Sequence, residues 1–489
     1  MQISLDNLNL TISAQGGTPL EDGYLLEGER IAVTHRFGNT QYYRHGFHSW
    51  SLSAWLPLDQ PLPAPTVQAM WPHIDALPLL ENYPFTGSGV GALQAPSGKV
   101  LLLGALGLDA HLTANGAELC GKAASSIPWF LAYGREEEVF RHYAARLGER
   151  LGQRPPKPAP RVWCSWYGLY GDINVDIIRD TLSGLRGLPF DVFQLDDGWQ
   201  IAIGDWDANE RFPEGTASLA LDIANAGFVP GIWYAPFIVQ PTARLFHDHA
   251  DWLLRDADGN LVPAGQNWGG TFYALDTTHP AVLEWLRHLA HRLSGHGFRY
   301  QKIDFLYAAA LPGKRTLDLP PEQAYRMGLE AIRQGVGNDV YLLVCGSPIL
   351  ASLGLADGMR IGPDVAPFWD NSDRSIHLHD LTGPAALNAL RTSLNRLWLR
   401  PLLHIDPDVV YFRTRYNLLT PSQRALIRDL AWIAGFRATS DLPAWLDADE
   451  RAALQAFLEA QPAIEQLERY RFRIDGREVD YSFVADIPR

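Results

Sequence analysis

The chain is poor in cysteine. Its 489 residues include three, Cys120, Cys164 and Cys345, far apart and odd in number. Neither a disulfide framework nor a cysteine-rich metal site fits that pattern. No Gly-x-Gly-x-x-Gly follows the first strand of its α/β region, which argues against a dinucleotide fold, and no Gly-rich phosphate loop occurs elsewhere. No apolar run is long enough to cross a bilayer. The N-terminus, Met1 to Asp6, lacks a basic segment followed by an apolar run, so no signal peptide, no membrane partner and a cytoplasmic location are expected. Basic charge is outweighed: 41 Lys and Arg stand against 55 Asp and Glu, a net charge of −14. Such a surface repels phosphate backbones, and no nucleic-acid partner is expected.

What remains is an ordinary globular balance, 47% apolar and 20% charged, with 16 tryptophans. Indole faces fill cores and also stack on the C–H faces of sugars. Residues 1–153 alternate apolar and polar positions, as in Gln2–Ser13 and Tyr24–His35, with a buried-strand run at Lys99–Gly104. Gly and Pro punctuate them, as in Gln60–Pro65, and an N-terminal antiparallel β-sandwich is expected. Arg135–Arg150 reads as a helix with Val139, Phe140, Tyr143 and Leu147 on one face. Residues 154–160 hold four prolines in seven positions and read as a stiff linker.

From 161 to 460 the pattern becomes strand, helix, strand. Candidate strands are Val162–Tyr167, Val192–Asp196, Val229–Ala235, Tyr300–Phe305, Val340–Cys345, Gly358–Ile361, Leu402–Ile405 and Arg437–Asp441. The clearer helices are Ile177–Leu188, Ala281–Leu293, Pro321–Val336, Pro384–Leu399, Ser422–Ala434 and Ala448–Leu458. Eight such units close most economically into a (β/α)8 TIM barrel, with an open doubly wound sheet as runner-up. Residues 461–489 hold two short strands about Asp475-Gly476, a β-hairpin and a very short C-terminal extension.

In a barrel the working residues stand at the C-terminal strand ends. Strand two ends in Asp196-Asp197-Gly198-Trp199. Strand four carries Lys302 and Asp304 on one face, because strand side chains alternate. Either the two charges form an internal ion pair or they are a catalytic carboxylate and its cation. Strand six runs into Arg360-Ile361-Gly362-Pro363-Asp364. Carboxylates at three strand ends, among Trp233, Trp199 and Tyr167, suggest carbohydrate chemistry, since a glycosidase needs two carboxyl groups flanking the scissile bond. His247-Asp248-His249 and His377-Leu378-His379-Asp380 read as solvated surface rather than metal ligands. Asp256–Asn260 reads as an Asp-Gly turn rather than a calcium loop. Asp406-Pro407-Asp408 after strand seven is either catalytic or caps the next segment, and the structural role is preferred.

Six motifs in register then carry a resemblance: Trp163-Cys164-Ser165-Trp166-Tyr167, Phe193–Asp197, Gly231–Phe237, Lys302–Phe305, Cys345–Pro348 and Arg360–Asp364. Together they resemble glycoside hydrolase family 36 α-galactosidases of the short bacterial type. Phe47-His48-Ser49-Trp50 is similar to that family's aromatic-Gln-Ser-Trp motif, with His in place of Gln. The resemblance implies a retaining, exo-acting enzyme that takes terminal α-linked galactose from oligosaccharides such as melibiose or raffinose. It implies Asp304 as nucleophile, Asp364 as acid/base, Asp196 and Asp197 on the sugar's O4 and O6, and Lys302 on ring hydroxyls. Arg360, Trp233, Tyr167, Cys345, Trp50 and Trp199 would line the pocket. No cofactor and no metal are implied, and self-association into a homo-oligomer is left open. An α-N-acetylgalactosaminidase or an α-galactosyl transglycosylase on the same scaffold is the alternative. Family members carry a full C-terminal β-domain, which this chain nearly lacks.

Overall fold

The computed structural model describes residues 1–6, 8–62, 85–154, 158–371 and 380–487. Its centre is a single sheet of eight parallel strands: β1 (Arg161–Cys164), β2 (Val192–Leu195), β3 (Val229–Tyr234), β4 (Tyr300–Ile303), β5 (Tyr341–Val344), β6 (Gly358–Arg360), β7 (His404–Asp406) and β8 (Arg437–Thr439). They pair in sequence order, and β8 returns to β1. A parallel bridge between Val410 and Thr439 joins the β7 side to β8, with Val410 N–H donating to the Ala438 carbonyl at 2.8 Å. This is the expected (β/α)8 barrel. Strands β2, β4 and β5 are buried along their whole length, as parallel strands covered on both faces must be.

Alternation along β4 decides which residues reach the barrel interior. Gln301 turns to the helix layer, where its amide contacts Tyr234 Oη at 2.8 Å and Ser294 Oγ at 3.1 Å. Tyr300 and Lys302 therefore point inward. Tyr300 stacks on Tyr341 at 5.2 Å, and Tyr341 on His404 at 5.8 Å. These three rings form a floor beneath the charged residues. Gly358 has to be glycine here, because a Cβ would stand 2.4 Å from Tyr341 Oη.

Differences from the sequence reading have local causes. Gln2–Ser13 is two paired strands, Gln2–Leu5 and Leu8–Ser13, because Asp6 takes φ 44° and reverses the chain. A helix at Gly215–Asn225 went unread, although Thr216, Leu219, Ala220 and Ile223 are buried at helical spacing. The expected helix Pro384–Leu399 is Ala386–Leu394 followed by a 3-10 turn at Leu397–Leu399, broken where Arg396 turns inward. The C-terminal hairpin is present, with Asp475 and Gly476 both at positive φ, and Ile464–Glu468 adds a third strand to it. His247 contacts the Pro241 carbonyl at 2.8 Å and His249 stacks on Trp252 at 4.0 Å, while residues 377–379 lie outside the described residues. Within Asp256–Asn260 the Asp256 carboxylate accepts from the amides of Asp258 and Asn260, a closed turn. Among the described residues no helix is long and apolar enough to cross a membrane.

Among the described residues the N-terminal region is an eleven-stranded antiparallel sheet followed by a helix, Glu136–Leu151. Strand Val100–Ala105 shows how it packs. Leu101, Leu103 and Ala105 enter the region's own core, whereas Val100 and Leu102 join the cluster continuous with the barrel. The helix buries Val139, Phe140, Tyr143, Ala144 and Leu147 against that second face. A cavity of about 710 Å³ lies where this region meets the barrel and the C-terminal strands, lined in part by Tyr43, Trp55, Trp398 and Arg469. None of the charged strand-end residues lines it.

One contact fixes how the N-terminal sheet meets the barrel. Arg396 is fully buried, and its guanidinium donates to the carbonyls of Gly46, His48, Ser49 and Ser51, to Ser53 Oγ, and to the Ile361 carbonyl just after β6. Segment 46–53 is thereby tied to the barrel. Ser49 N–H also donates to the Ser347 carbonyl at 3.0 Å, and Ser347 N–H to Ser49 Oγ at 2.9 Å. Replacing Arg396 by Met leaves several buried acceptors without a donor, each worth about 1–3 kcal/mol. The expected outcome for Arg396→Met is a loss of at least about 3 kcal/mol, read as a lower denaturation midpoint, with faster hydrogen exchange at the amides of 47–51. An unchanged midpoint would show that these contacts carry no weight.

Candidate active site

The charged residues gather at the C-terminal ends of the barrel strands. Asp304 follows β4, and its backbone N–H still donates to the Tyr234 carbonyl of β3 at 3.0 Å. Phe305 then takes a left-handed conformation, φ 54°, and turns the chain away. A bulky residue adopts that region only under constraint from its surroundings. The turn aims the Phe305 N–H at Asp304 Oδ1, 2.8 Å away, while Trp233 Nε1 donates to Oδ2 at 2.9 Å. Both oxygens of Asp304 are thus oriented by fixed donors.

Lys302 shares the face of Asp304, as strand alternation requires, but its nearer partner is Asp196. Its Nζ lies 2.9 Å from Asp196 Oδ2 and 3.9 Å from Asp304 Oδ2. Burial works against the lysine charge, yet Asp196 and Asp304 together hold its pKa well above the ordinary value. Asp196 also accepts from Gln194 Nε2 and from the Cys164 thiol at 3.4 Å through the same oxygen, and from Asp197 N–H at 3.0 Å through the other. Asp197 accepts from Gln200 Nε2 and from Trp268 Nε1, the latter at 2.6 Å. Burial pushes the Asp197 carboxyl up against these two donors.

The second group of carboxyls surrounds Arg360 at the end of β6. Its Nη1 lies 3.1 Å from Asp364 Oδ1 and 2.8 Å from Asp408 Oδ2, and its Nε 3.2 Å from Asp406 Oδ2. Tyr167, in the short helix Trp166–Leu169 after β1, donates its hydroxyl to Asp408 Oδ2. Burial raises the pKa of Asp364; Arg360 and Lys302 oppose this and the charge of Asp304 adds to it. The Asp364 side chain keeps 34% of its surface exposed against 9% for Asp304, so Asp364 stands at the open end and Asp304 deeper. Five carboxyl groups, at 196, 304, 364, 406 and 408, share two cations, Lys302 and Arg360, and a sixth, Asp197, adjoins them. They cannot all be ionised without large mutual repulsion, so an arrangement of this kind can retain a proton at neutral pH.

Apolar walls complete the site. Trp50 arrives from the N-terminal sheet on the segment held by Arg396, and packs edge-on against Phe305 at 5.2 Å and Tyr307 at 5.9 Å. Gly346, at φ 55°, lets the indole come close, since a Cβ there would meet it at 3.0 Å. Cys345 is buried beside β4 and its thiol pKa is pushed up by burial and by Asp304. Trp199 has no exposed surface; its Nε1 donates to the Trp233 carbonyl at 2.9 Å, which places it behind Trp233 rather than at the opening.

Several members of the constellation had no place in the sequence reading. Trp268 stands at φ 50° in the turn between strands Pro263–Asn267 and Gly270–Ala274, an insertion after β3, and packs on Phe305 at 5.2 Å. Gln194, two positions before Asp196, shares its face by the same alternation that paired Lys302 with Asp304, and that signal could have found it. Asp406 and Asp408 do form a tight turn, with Asp408 N–H donating to Asp406 Oδ1 at 2.8 Å, but both side chains also grip Arg360.

Known proteins place this geometry in a family. The Melibiase family model matches residues 146–331. The chain is similar to the α-galactosidase TtGalA of Thermus thermophilus, solved with p-nitrophenyl α-D-galactopyranoside: 46% identity over 99% of both chains, with a TM-score of 0.94. The same protein solved with stachyose matches at a TM-score of 0.90 over 94% of this chain and 99% of that one. An α-galactosidase of Escherichia coli is 28% identical over 182 residues, 35% of this chain and 25% of its own. The aligned stretch thus spans about a quarter of that curated relative's length.

The thiols offer a direct check on the burial described. Cys164 and Cys345 are buried, burial raises both their pKa values, and Cys120 is partly exposed. A thiol-specific disulfide reagent at neutral pH is expected to titrate at most one thiol in the native protein and all three in denaturant. Rapid reaction of two or three native thiols would refute the buried placement.

Proposed function

This chain belongs to the glycoside hydrolase family 36 α-galactosidases, and on that premise we propose that it is a retaining, exo-acting α-galactosidase. Its substrates would be oligosaccharides ending in α-linked galactose, such as melibiose or raffinose. The observation that carries the reading is the unlike pair of carboxyls at the ends of β4 and β6. Asp304 is deep and oriented by two donors; Asp364 stands at the opening with its pKa raised. The Thermus relative, solved with two α-galactosides, supports the ligand class.

In the first step a carboxylate oxygen of Asp304 attacks the anomeric carbon and the bond to the leaving oxygen breaks. Asp364 passes its proton to that oxygen. A retaining pair works at a separation of about 5–5.5 Å, which leaves no room for an intervening water. Asp304 becomes a neutral ester, so the repulsion that held the proton on Asp364 disappears. Asp364 then takes a proton from water, the resulting hydroxide equivalent attacks the anomeric carbon, and Asp304 leaves as carboxylate. Two inversions give net retention. The chemistry needs only the two carboxyl groups and water.

Recognition of galactose rests on Asp196 and Asp197. Asp196 Oδ2 is engaged by Lys302, Gln194 and Cys164, whereas among the described residues Oδ1 receives only the Asp197 amide, leaving acceptor capacity for a sugar hydroxyl. The axial O4 of galactose would fill it. The equatorial epimer would leave a buried acceptor unpaired, a loss of about 1–3 kcal/mol or roughly 5- to 150-fold. Three cysteines without a disulfide among them suit a reducing cytoplasm.

A panel of nitrophenyl glycosides of both anomers tests the assignment. Hydrolysis is expected on the α-galactoside alone; turnover of the N-acetyl analogue at a similar rate would shift the reading to an α-N-acetylgalactosaminidase, and galactosyl transfer from raffinose to another sugar to a transglycosylase. Asp304→Gly is expected to lower turnover by at least about 1,000-fold, with added azide restoring release of β-galactosyl azide. Near-normal activity in that variant would remove Asp304 from the nucleophile role.

A further inference from the structure

Arg360 serves three carboxyls, and one of them faces no opening. The Asp408 side chain has no exposed surface, whereas Asp364 beside it keeps a third of its own. Asp408 follows Pro407 at φ 85°, a conformation that bulky residues avoid and that carries its carboxyl back over β6. There it collects four donors. Oδ2 receives the Tyr167 hydroxyl, Val365 N–H at 2.9 Å and Arg360 Nη1 at 2.8 Å; Oδ1 receives Val409 N–H at 2.7 Å. Each of these donors favours the ionised form. Asp364 shares the same Arg360 nitrogen at a longer 3.1 Å. By its hydrogen-bond partners Asp408 is the better-stabilised anion of the two and Asp364 the better place for a shared proton, while burial raises the pKa of both.

We propose that Asp408 is a positioning residue for the acid/base. Its carboxylate draws the Arg360 guanidinium and the Tyr167 hydroxyl to itself, and when ionised it places a negative charge beside Asp364 that favours the protonated form of Asp364 until the leaving oxygen takes the proton. This rests on the reading of Asp364 as acid/base. The proton balance is simple: it passes from Asp364 to the glycosidic oxygen and is regained from water, and Asp408 takes no part in the transfer. Asp406 has the lesser part, holding Asp408 N–H and the far side of Arg360.

Titratable groups face this cluster from five strands of the barrel. Cys164 and Tyr167 approach from the β1 side, Lys302 and Asp304 from β4, and Cys345 from β5; Arg360 lies on β6, and Asp406 and Tyr411 on the β7 side. Of these only Asp304 and Asp406 could add negative charge in the neutral range besides Asp408, since burial raises the tyrosine and thiol pKa values further from it. Burial also raises the pKa of Asp408 itself, to about 7, with Arg360 opposing. Its ionisation and that of Asp364 are thus linked through one guanidinium.

The test is the pH profile of kcat/KM on raffinose for the wild type and Asp408→Asn. Loss of the acid's proton sets the basic limb. In Asp408→Asn the repelling charge is gone and Arg360 Nη1 is left to Asp364, with Nε still on Asp406, so both effects lower the pKa of Asp364. The expected result is a basic limb displaced to lower pH by at least half a unit. A limb left in place, with only a lower plateau, would make Asp408 merely structural and overturn the proposal. Asp364→Ala separates the two ideas. It is expected to lose far more activity on raffinose than on a nitrophenyl α-galactoside, whose leaving group needs no proton. Equal losses would sink the acid/base reading itself, whatever Asp408→Asn does.

The asparagine amide would face Val409 N–H, so the variant's folding is checked first by circular dichroism. If it does not fold, infrared difference spectra of the wild type and Asp364→Asn at pH 7 decide. The band of a neutral aspartic acid is expected to vanish in Asp364→Asn; a band that persists puts the proton elsewhere and overturns the proposal.

Discussion

The constraint on which the site depends is a shortage of positive charge. Six carboxyl groups crowd the C-terminal mouth of the barrel and two buried cations answer them. Neutrality would require more cations, and surface water is largely excluded. The imbalance is resolved by position. Lys302 settles on Asp196, Arg360 on Asp406 and Asp408, Asp197 is met by the neutral donors Gln200 and Trp268, and Asp304 and Asp364 take longer contacts to the two cations than Asp196 and Asp408 do. Asp304 is compensated by an indole and an amide N–H; Asp364, at the opening, has little beyond a shared guanidinium. The proposed mechanism asks one site to use two carboxyls in unlike roles without any change of residue type. The pair proposed to face the sugar and the pair proposed to react are parts of the same charge distribution, so altering one perturbs the other.

The barrel was legible in the sequence because its strands are short apolar runs bounded by polar residues, and all eight stand within a few positions of where the runs place them. The strand-end rule placed Asp196, Asp304 and Asp364 on one rim. What the rule could not supply was pairing. Lys302 and Asp304 are neighbours in sequence, yet the shorter contact runs across the barrel to Asp196, 106 positions away. Trp268 was invisible for a related reason. It reaches Asp197 from a turn in an inserted hairpin, at a positive φ that no side-chain pattern announces, across 71 positions. Galactose itself came from motif resemblance, since carboxyls and aromatics at strand ends specify a sugar but not its epimer.

Arg396 marks another limit of pattern reading. Its partners are mostly main-chain carbonyls, which every residue possesses, so no residue type in segment 46–53 signals the contact. Its effect on local structure could still be detected, as the break between Leu394 and Leu397 in what reads as one continuous helix. A buried guanidinium among carbonyls exchanges helix continuity for the docking of an entire sheet.

That docking sets an order in time during biosynthesis. Trp50 leaves the ribosome early, but the side chain that fixes its loop follows about 350 residues later, with 350 positions separating Gly46 from Arg396. At typical elongation rates the wait is about 20 to 70 s. The N-terminal sheet can fold in that interval with its loop unanchored, while a nascent barrel lacks one wall of its pocket. Nascent chains halted before residue 396 would therefore present every carboxyl of the first four strands and still have no complete pocket for a sugar to enter.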